Sequence, residues 1–153
     1  MDMRERVNTA LKQAMKDKAV DRLSTLRLIN AAIKDRDIAA RGEGNEAGVG
    51  DAEVLAILGK MLKQRHESAR AYEEGGRLDL AERERAEVAV IEEFLPRQLG
   101  KAEIDVAIEN AIAETEANSI RDMGKVMGLL KQKYAGQMDF GAVGSRIKDR
   151  LSA

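Results

Sequence analysis

Pro96 is the only proline of the chain, and on both sides of it apolar residues recur at steps of three and four. That spacing lines one face of an α-helix, whereas a strand would alternate faces every second residue. The first helix is expected over Met3–Lys16, with Val7, Leu11 and Ala14/Met15 on one side. The second is expected over 21–41, with Leu23, Leu26, Ile29/Asn30 and Ile33 in register and Asp21 as N-cap. The short junction between them implies an antiparallel hairpin.

A glycine-rich stretch follows, GEGNEAGVG at 42–50, and reads as a mobile loop. From Asp51, taken as a cap, a third helix runs through Leu55, Leu58, Met61/Leu62, Arg65, Ala69 and Tyr72 and stops at Gly75-Gly76. A fourth starts at Asp79 and passes Arg83, Ala86/Glu87, Val90/Ile91 and Phe94 before Pro96. Its acids, Glu82, Glu84, Glu87, Glu92 and Glu93, read as a solvated outer face. Proline pushes its predecessor out of the helical region, so PRQLGK reads as a linker and a domain boundary.

Beyond it, a fifth helix is expected at about 102–115 (Ile104, Ala107/Ile108, Ala111/Ile112), with a turn at ANSIRD. A sixth closes at Gly136, and a seventh runs from a cap at Asp139 through Phe140, Val143 and Ile147 to Leu151. The expected fold is all-α, with a four-helix bundle-like domain over 1–96 and a small three-helix domain over 97–153. Composition agrees: aromatic residues make up only 3% and charged residues 35%, with Ala, Leu, Glu, Lys and Arg dominant.

Most active-site chemistries lack their residues. Without cysteine there is no thiolate, no disulfide and no thiol nucleophile. His66 is the sole histidine, so a zinc site with histidine spacing is not expected. The Glu92-Glu93 pair sits in a continuous acidic row with no hint of the concave site that separates two carboxylate pKa values. Walker, dinucleotide, nucleophile-elbow and Ser–Ser–Lys patterns are all missing. No catalytic residue, cofactor or metal is therefore expected. No apolar run approaches the roughly 20 residues of a membrane span. The charged start, MDMRERVNTALKQ, has no signal-peptide core, so the expected location is the cytoplasm, away from membranes.

Net charge is −1, but residues 121–153 hold seven basic side chains against three acids, a local +4. Within this stretch lies DMGKVMGLLKQKYAGQMD at 122–139. Met123, Val126, Met127, Leu130 and Tyr134 mark its core face, yet Gly124 and Gly128 interrupt the helix. Each interior glycine costs a helix about 1 kcal/mol relative to alanine. On a helical projection from Met123, Lys131, Gly124, Gly128, Gln132 and Lys125 fall at about 80°, 100°, 140°, 180° and 200°. The glycines form a bare strip between lysines. Two uses of such a strip stay open: close approach of another helix, or approach of a ligand backbone with Lys125 and Lys131 on its phosphates.

IEEFLPRQL (91–99), SIRDMGKVMGLLKQKYAGQMDFGAVGSRIKDRL (119–151) and RLSTLRLINAAIKDRDIAAR (22–41) closely resemble the YqeY family. Its members are small proteins similar to the C-terminal tail of GatB, a subunit of the tRNA-dependent amidotransferase. The resemblance implies an N-terminal helical bundle followed by a three-helix domain. It also implies tRNA recognition by a tail-like domain, in the context of carbon–nitrogen ligation with glutamine as amide donor. Carried over by position, Gly124, Lys125, Gly128 and Lys131 become tRNA-contact candidates, with Arg121, Lys133, Arg146 and Lys148 as basic neighbours. The catalytic cradle of the amidotransferase has no counterpart here, so partners are expected to be tRNA and an amidotransferase or other protein. The alternative is a helical protein–protein adaptor without a nucleic-acid role.

Overall fold

The computed structural model describes residues 2–152, and among them there are seven α-helices, one 3₁₀ turn and no strand. The chain divides into two compact units, Met1–Pro96 and Arg97–Ala153.

In the first unit, α1 (Met3–Lys16), α2 (Val20–Gly42), α3 (Asp51–Glu74) and α4 (Leu78–Glu92) enclose one apolar core. Asp2 starts α1 by accepting the Glu5 N–H at 2.8 Å, satisfying one of the orphan donors of the first turn. The three-and-four steps bury Leu26, Ile29 and Ile33 of α2, Val54 and Leu58 of α3 and Ile91 of α4 completely. Each contributes roughly 1.5–3 kcal/mol of apolar transfer free energy. Gly75 and Gly76 close α3, with Gly76 at φ +76.

Four local expectations need correction. Helix α2 starts one residue before Asp21, so Ala19 holds the cap position and Asp21 lies in the first turn. Asp51 does not cap α3 but is its first residue, and its carboxylate accepts the Met3 N–H at 3.2 Å. The loop 43–50 is not mobile throughout: the Val49 side chain is buried and its N–H donates to Asp37 at 2.9 Å. The acids of α4 are not one solvated face. Glu84 and Glu87 are half-buried towards α3, where Arg65 Nε donates to Glu87 at 3.3 Å, while Arg83 and Ala86 are exposed. Glu93 pairs with Arg22.

The second unit holds α5 (Lys101–Thr115), the 3₁₀ turn Ile120–Asp122, α6 (Met123–Lys133) and α7 (Phe140–Ser152). Glu103 reaches back to the Gly100 N–H at 3.2 Å and takes both arms of Arg97 at 2.8 and 2.6 Å, which fixes the start of α5. Asp139 accepts the Gly141 N–H at 3.0 Å and caps α7. Val126, Leu130, Val143 and Ile147 are fully buried, against Ala107, Ile108, Ala111 and Ile112 of α5. Helix α6 ends at Lys133, one residue before Tyr134, and Gly136 turns the chain at φ +75.

Candidate functional site

Helix α6 contacts both α5 and α7, so its Val126/Leu130 side is committed to the core. The opposite side carries the bare strip. Gly124, Lys125, Gly128, Lys131 and Gln132 are all exposed. A Cβ added at Gly124 or at Gly128 would meet nothing within 4 Å. No helix of this unit lies over the strip, so packing within the unit does not account for either glycine. Helix-to-helix proximity occurs instead at Gly144 of α7, where a Cβ would sit 3.5 Å from Met123 Cε and 3.9 Å from Met127 Cε. Sequence reasoning passed over Gly144, because its spacing alone does not reveal what lies across from it.

The basic candidates separate into two groups. Lys133 Nζ donates to Glu114 of α5 at 2.7 Å, which raises its pKa above the ordinary lysine value. Arg146 pairs with Asp105 of α5. These two are engaged on α5 and stand apart from the strip in their partners. Lys125, 71% exposed, makes only a 3.8 Å contact with Asp122 one turn earlier. Asp122 itself is held below the usual carboxylate range, first by the Asn118 N–H that it accepts at 3.0 Å. Arg121, Lys131 and Lys148 are exposed and have no acidic partner among the described residues. The open set is therefore Gly124, Lys125, Gly128 and Lys131 on α6, with Arg121 just before it and Lys148 on α7.

The first unit offers one further polar concavity. A groove of about 420 Å³ between α3 and α4 is lined by Gln64, Arg65, Glu67, Ser68, Glu84 and Glu87. Burial, and then the charge of Glu87, push the Glu84 carboxyl above its ordinary range. A carboxyl raised by burial in a concave site can serve as a general acid. Here Arg65 neutralises Glu87, and among the described residues no hydrogen bond joins Ser68 to a carboxylate of the groove. His66 is exposed beside it. No group of three His, Cys, Asp or Glu side chains suited to a metal occurs among the described residues. No described helix is long and apolar enough to cross a membrane.

Comparison with known proteins adds the family. The chain is 27% identical over 152 residues to "Altered inheritance of mitochondria protein 41, mitochondrial" of Pyrenophora tritici-repentis, covering 97% of this chain and 80% of that protein. The protein of the same name from Clavispora lusitaniae is 30% identical over 144 residues, covering 92% and 80%. Its namesake in Lachancea thermotolerans is 30% identical over 112 residues, covering 71% of this chain and 57% of the relative. Residues 4–151 match the family described as Yqey-like protein, nearly the whole chain, and the protein belongs to that family.

Proposed function

We propose that the chain is a tRNA-binding accessory module that works beside a glutamine-dependent tRNA amidotransferase and performs no amide transfer itself. The observation that carries the reading is the open strip: two helix-interior glycines with free space above them, between Lys125 and Lys131. Bare backbone lets a sugar–phosphate chain approach closely, and lysines on either side neutralise phosphates without reading bases. The likeness of the DMGKVMG run to the GatB tail supports tRNA as the nucleic acid. The cytoplasmic expectation is not essential to the reading, since mitochondria, named in the fungal relatives, also contain tRNA.

The test is tRNA binding at low salt by the wild-type chain and by the Lys125→Ala/Lys131→Ala variant. The wild type binds with an affinity that falls steeply as salt rises, and the variant binds more weakly with a shallower salt slope and unchanged helicity. Absence of any shift with roughly tens of micromolar wild-type protein at low salt removes the proposal.

One observation favours a second reading, a protein–protein adaptor. Lys133 and Arg146 are already neutralised by α5, which leaves a thin cationic footprint around the strip. A partner helix seated on Gly124 and Gly128 would then be blocked by Gly128→Leu, with little dependence on salt.

A further inference from the structure

Helices α5 and α7 are joined at the surface by two matched ion pairs. Asp105 meets Arg146, and four residues further along each helix Glu109 meets Arg150. Arg150 uses its fork: Nε donates to Glu109 Oε1 at 2.7 Å and Nη2 to Oε2 at 3.1 Å. The pairs border a shallow groove of about 350 Å³ that Ile108 and Asp149 also line.

These pairs are poor candidates for structural glue. Arg150 and Glu109 are each 53% exposed and Asp105 is 56% exposed, with Arg146 half-buried at 32%, and pairs that open to water contribute little to folding. The unit is already held by the buried Ile108, Val126, Leu130, Val143 and Ile147. What the pairs do alter is charge. With Lys133 on Glu114, three of the seven cations in 121–153 are covered by acids of one helix. The planar guanidinium fork that grips a carboxylate grips a phosphate in the same way.

We infer that Asp105 and Glu109 form an autoinhibitory contact, in which α5 carboxylates occupy Arg146 and Arg150 in place of RNA phosphates. The inference rests on the tRNA reading above and deepens it. At rest, the cations of 121–153 open to a polyanion are Lys125 and Lys131 on the α6 strip, with Arg121 and Lys148. An RNA whose phosphates reach the α5–α7 groove exchanges the carboxylates for its own phosphates and recruits the two arginines. No covalent step is involved, only the exchange of one anion for another at each fork.

The experiment is a charge cycle read by binding of a tRNA transcript between about 50 and 200 mM salt. It compares wild type, D105N/E109Q, R146Q/R150Q and the fourfold variant. Removing the carboxylates tightens binding about fivefold and steepens the salt slope by about 1–2, two phosphate contacts' worth. In the fourfold variant that gain is lost. E109Q against E116Q, an exposed acid with no ion partner among the described residues, repeats the comparison with one charge and serves if the double variant misfolds. No gain in D105N/E109Q or E109Q overturns the inference. So does a gain that persists without the arginines, or one matched by E116Q, since either marks a generic charge effect. If wild type binds in those cases, the strip reading stands alone. If wild type fails and the neutralised chain binds through its arginines, the inference stands and the strip reading falls. If no protein binds, both fall.

Discussion

Arg4 and Asp37, thirty-three positions apart, close a two-bond fork: Nη1 donates to Oδ2 at 2.6 Å and Nη2 to Oδ1 at 2.8 Å. Arg4 also donates to the Val49 carbonyl at 2.9 Å, and the Val49 N–H returns to Asp37. One buried carboxylate thus joins α1, α2 and the loop that enters α3. The Asp37 side chain is only 10% exposed and its bond from the Val49 N–H is buried, while Arg4 is 34% exposed and its bonds are partly shielded from water.

Asp37→Asn keeps the shape and removes the charge. An amide presents one oxygen where the carboxylate presents two, and its NH₂ confronts donors. Hydrogen bonds to charged groups are worth about 1.5–3 kcal/mol each before compensation. Arg4 remains 34% exposed and can rehydrate, which keeps the loss below that of a fully buried pair. Urea unfolding of the full chain should show a loss of about 1.5–3 kcal/mol. A change within about 0.5 kcal/mol, the usual range for an ordinary surface substitution, would show that the fork is idle.

Acid should erase that difference. The Arg4 hydrogen bond first, and the Val49 N–H second, hold Asp37 down to about 2 against the opposing effect of burial. A carboxylate lowered on folding adds stability above its unfolded pKa and loses it as pH falls towards the folded value. The contribution, about 2 kcal/mol at neutral pH, should therefore decline from about pH 4 downwards. Glu103, also at about 2 through Arg97, titrates in the same window but is common to both proteins. The gap between wild type and D37N should shrink to less than half by about pH 2.5. A gap that stays constant through that range contradicts the assignment.

Gly48 is constrained twice. Its φ is +83, and an added Cβ would lie 2.6 Å from Asp37 Oδ1 and 3.1 Å from Cγ. Asp37 cannot withdraw without opening the Arg4 fork. Gly76 has a similar φ of +76 with nothing within 4 Å. Gly76→Ala should therefore cost about 1–2 kcal/mol, the left-handed penalty alone. Gly48→Ala should cost about 1–2 kcal/mol more, because the collision is added to the same penalty. Thermal denaturation of the two variants side by side checks the order. Equal losses would mean that the loop relaxes freely around Asp37.

The contrast between what spacing reveals and what it hides runs through these residues. Leu26, Ile29 and Ile33 lie inside because a helix repeats every 3.6 residues, and that period is written locally. The same geometry places Gly124 and Gly128 on one strip. Asp37 sits in KDRDIAAR among charges of both signs, and nothing local distinguishes the acid whose partner lies thirty-three residues away. Glu84 and Glu87 looked like their exposed neighbours because α3 across from them is not visible along α4. The engaged state of Lys133 and Arg146 was hidden for the same reason: a residue's partners on another helix are a property of packing. A charge count over 121–153 therefore overstates the cations available to a ligand.

The strip itself yields an opposed pair of effects. A Cβ at Gly124 or Gly128 enters open space, so neither alanine substitution meets steric resistance. Alanine also orders less backbone on folding, and each change should stabilise the chain by about 0.4–1 kcal/mol. If a phosphate backbone approaches the helix there, the same methyl groups hold it away from Lys125 and Lys131, and tRNA affinity falls as stability rises. Such an exchange of stability for function is expected where a protein keeps a locally unfavourable residue at a working surface. Gly144→Ala provides the comparison, since its Cβ would make ordinary contact with Met123 and Met127 inside the unit and leave the strip unchanged. The G124A/G128A chain should therefore unfold at a higher temperature than wild type and bind tRNA less tightly, with G144A binding as wild type does. A double variant that gains stability and keeps full tRNA affinity would show that bare backbone at these positions serves no RNA contact.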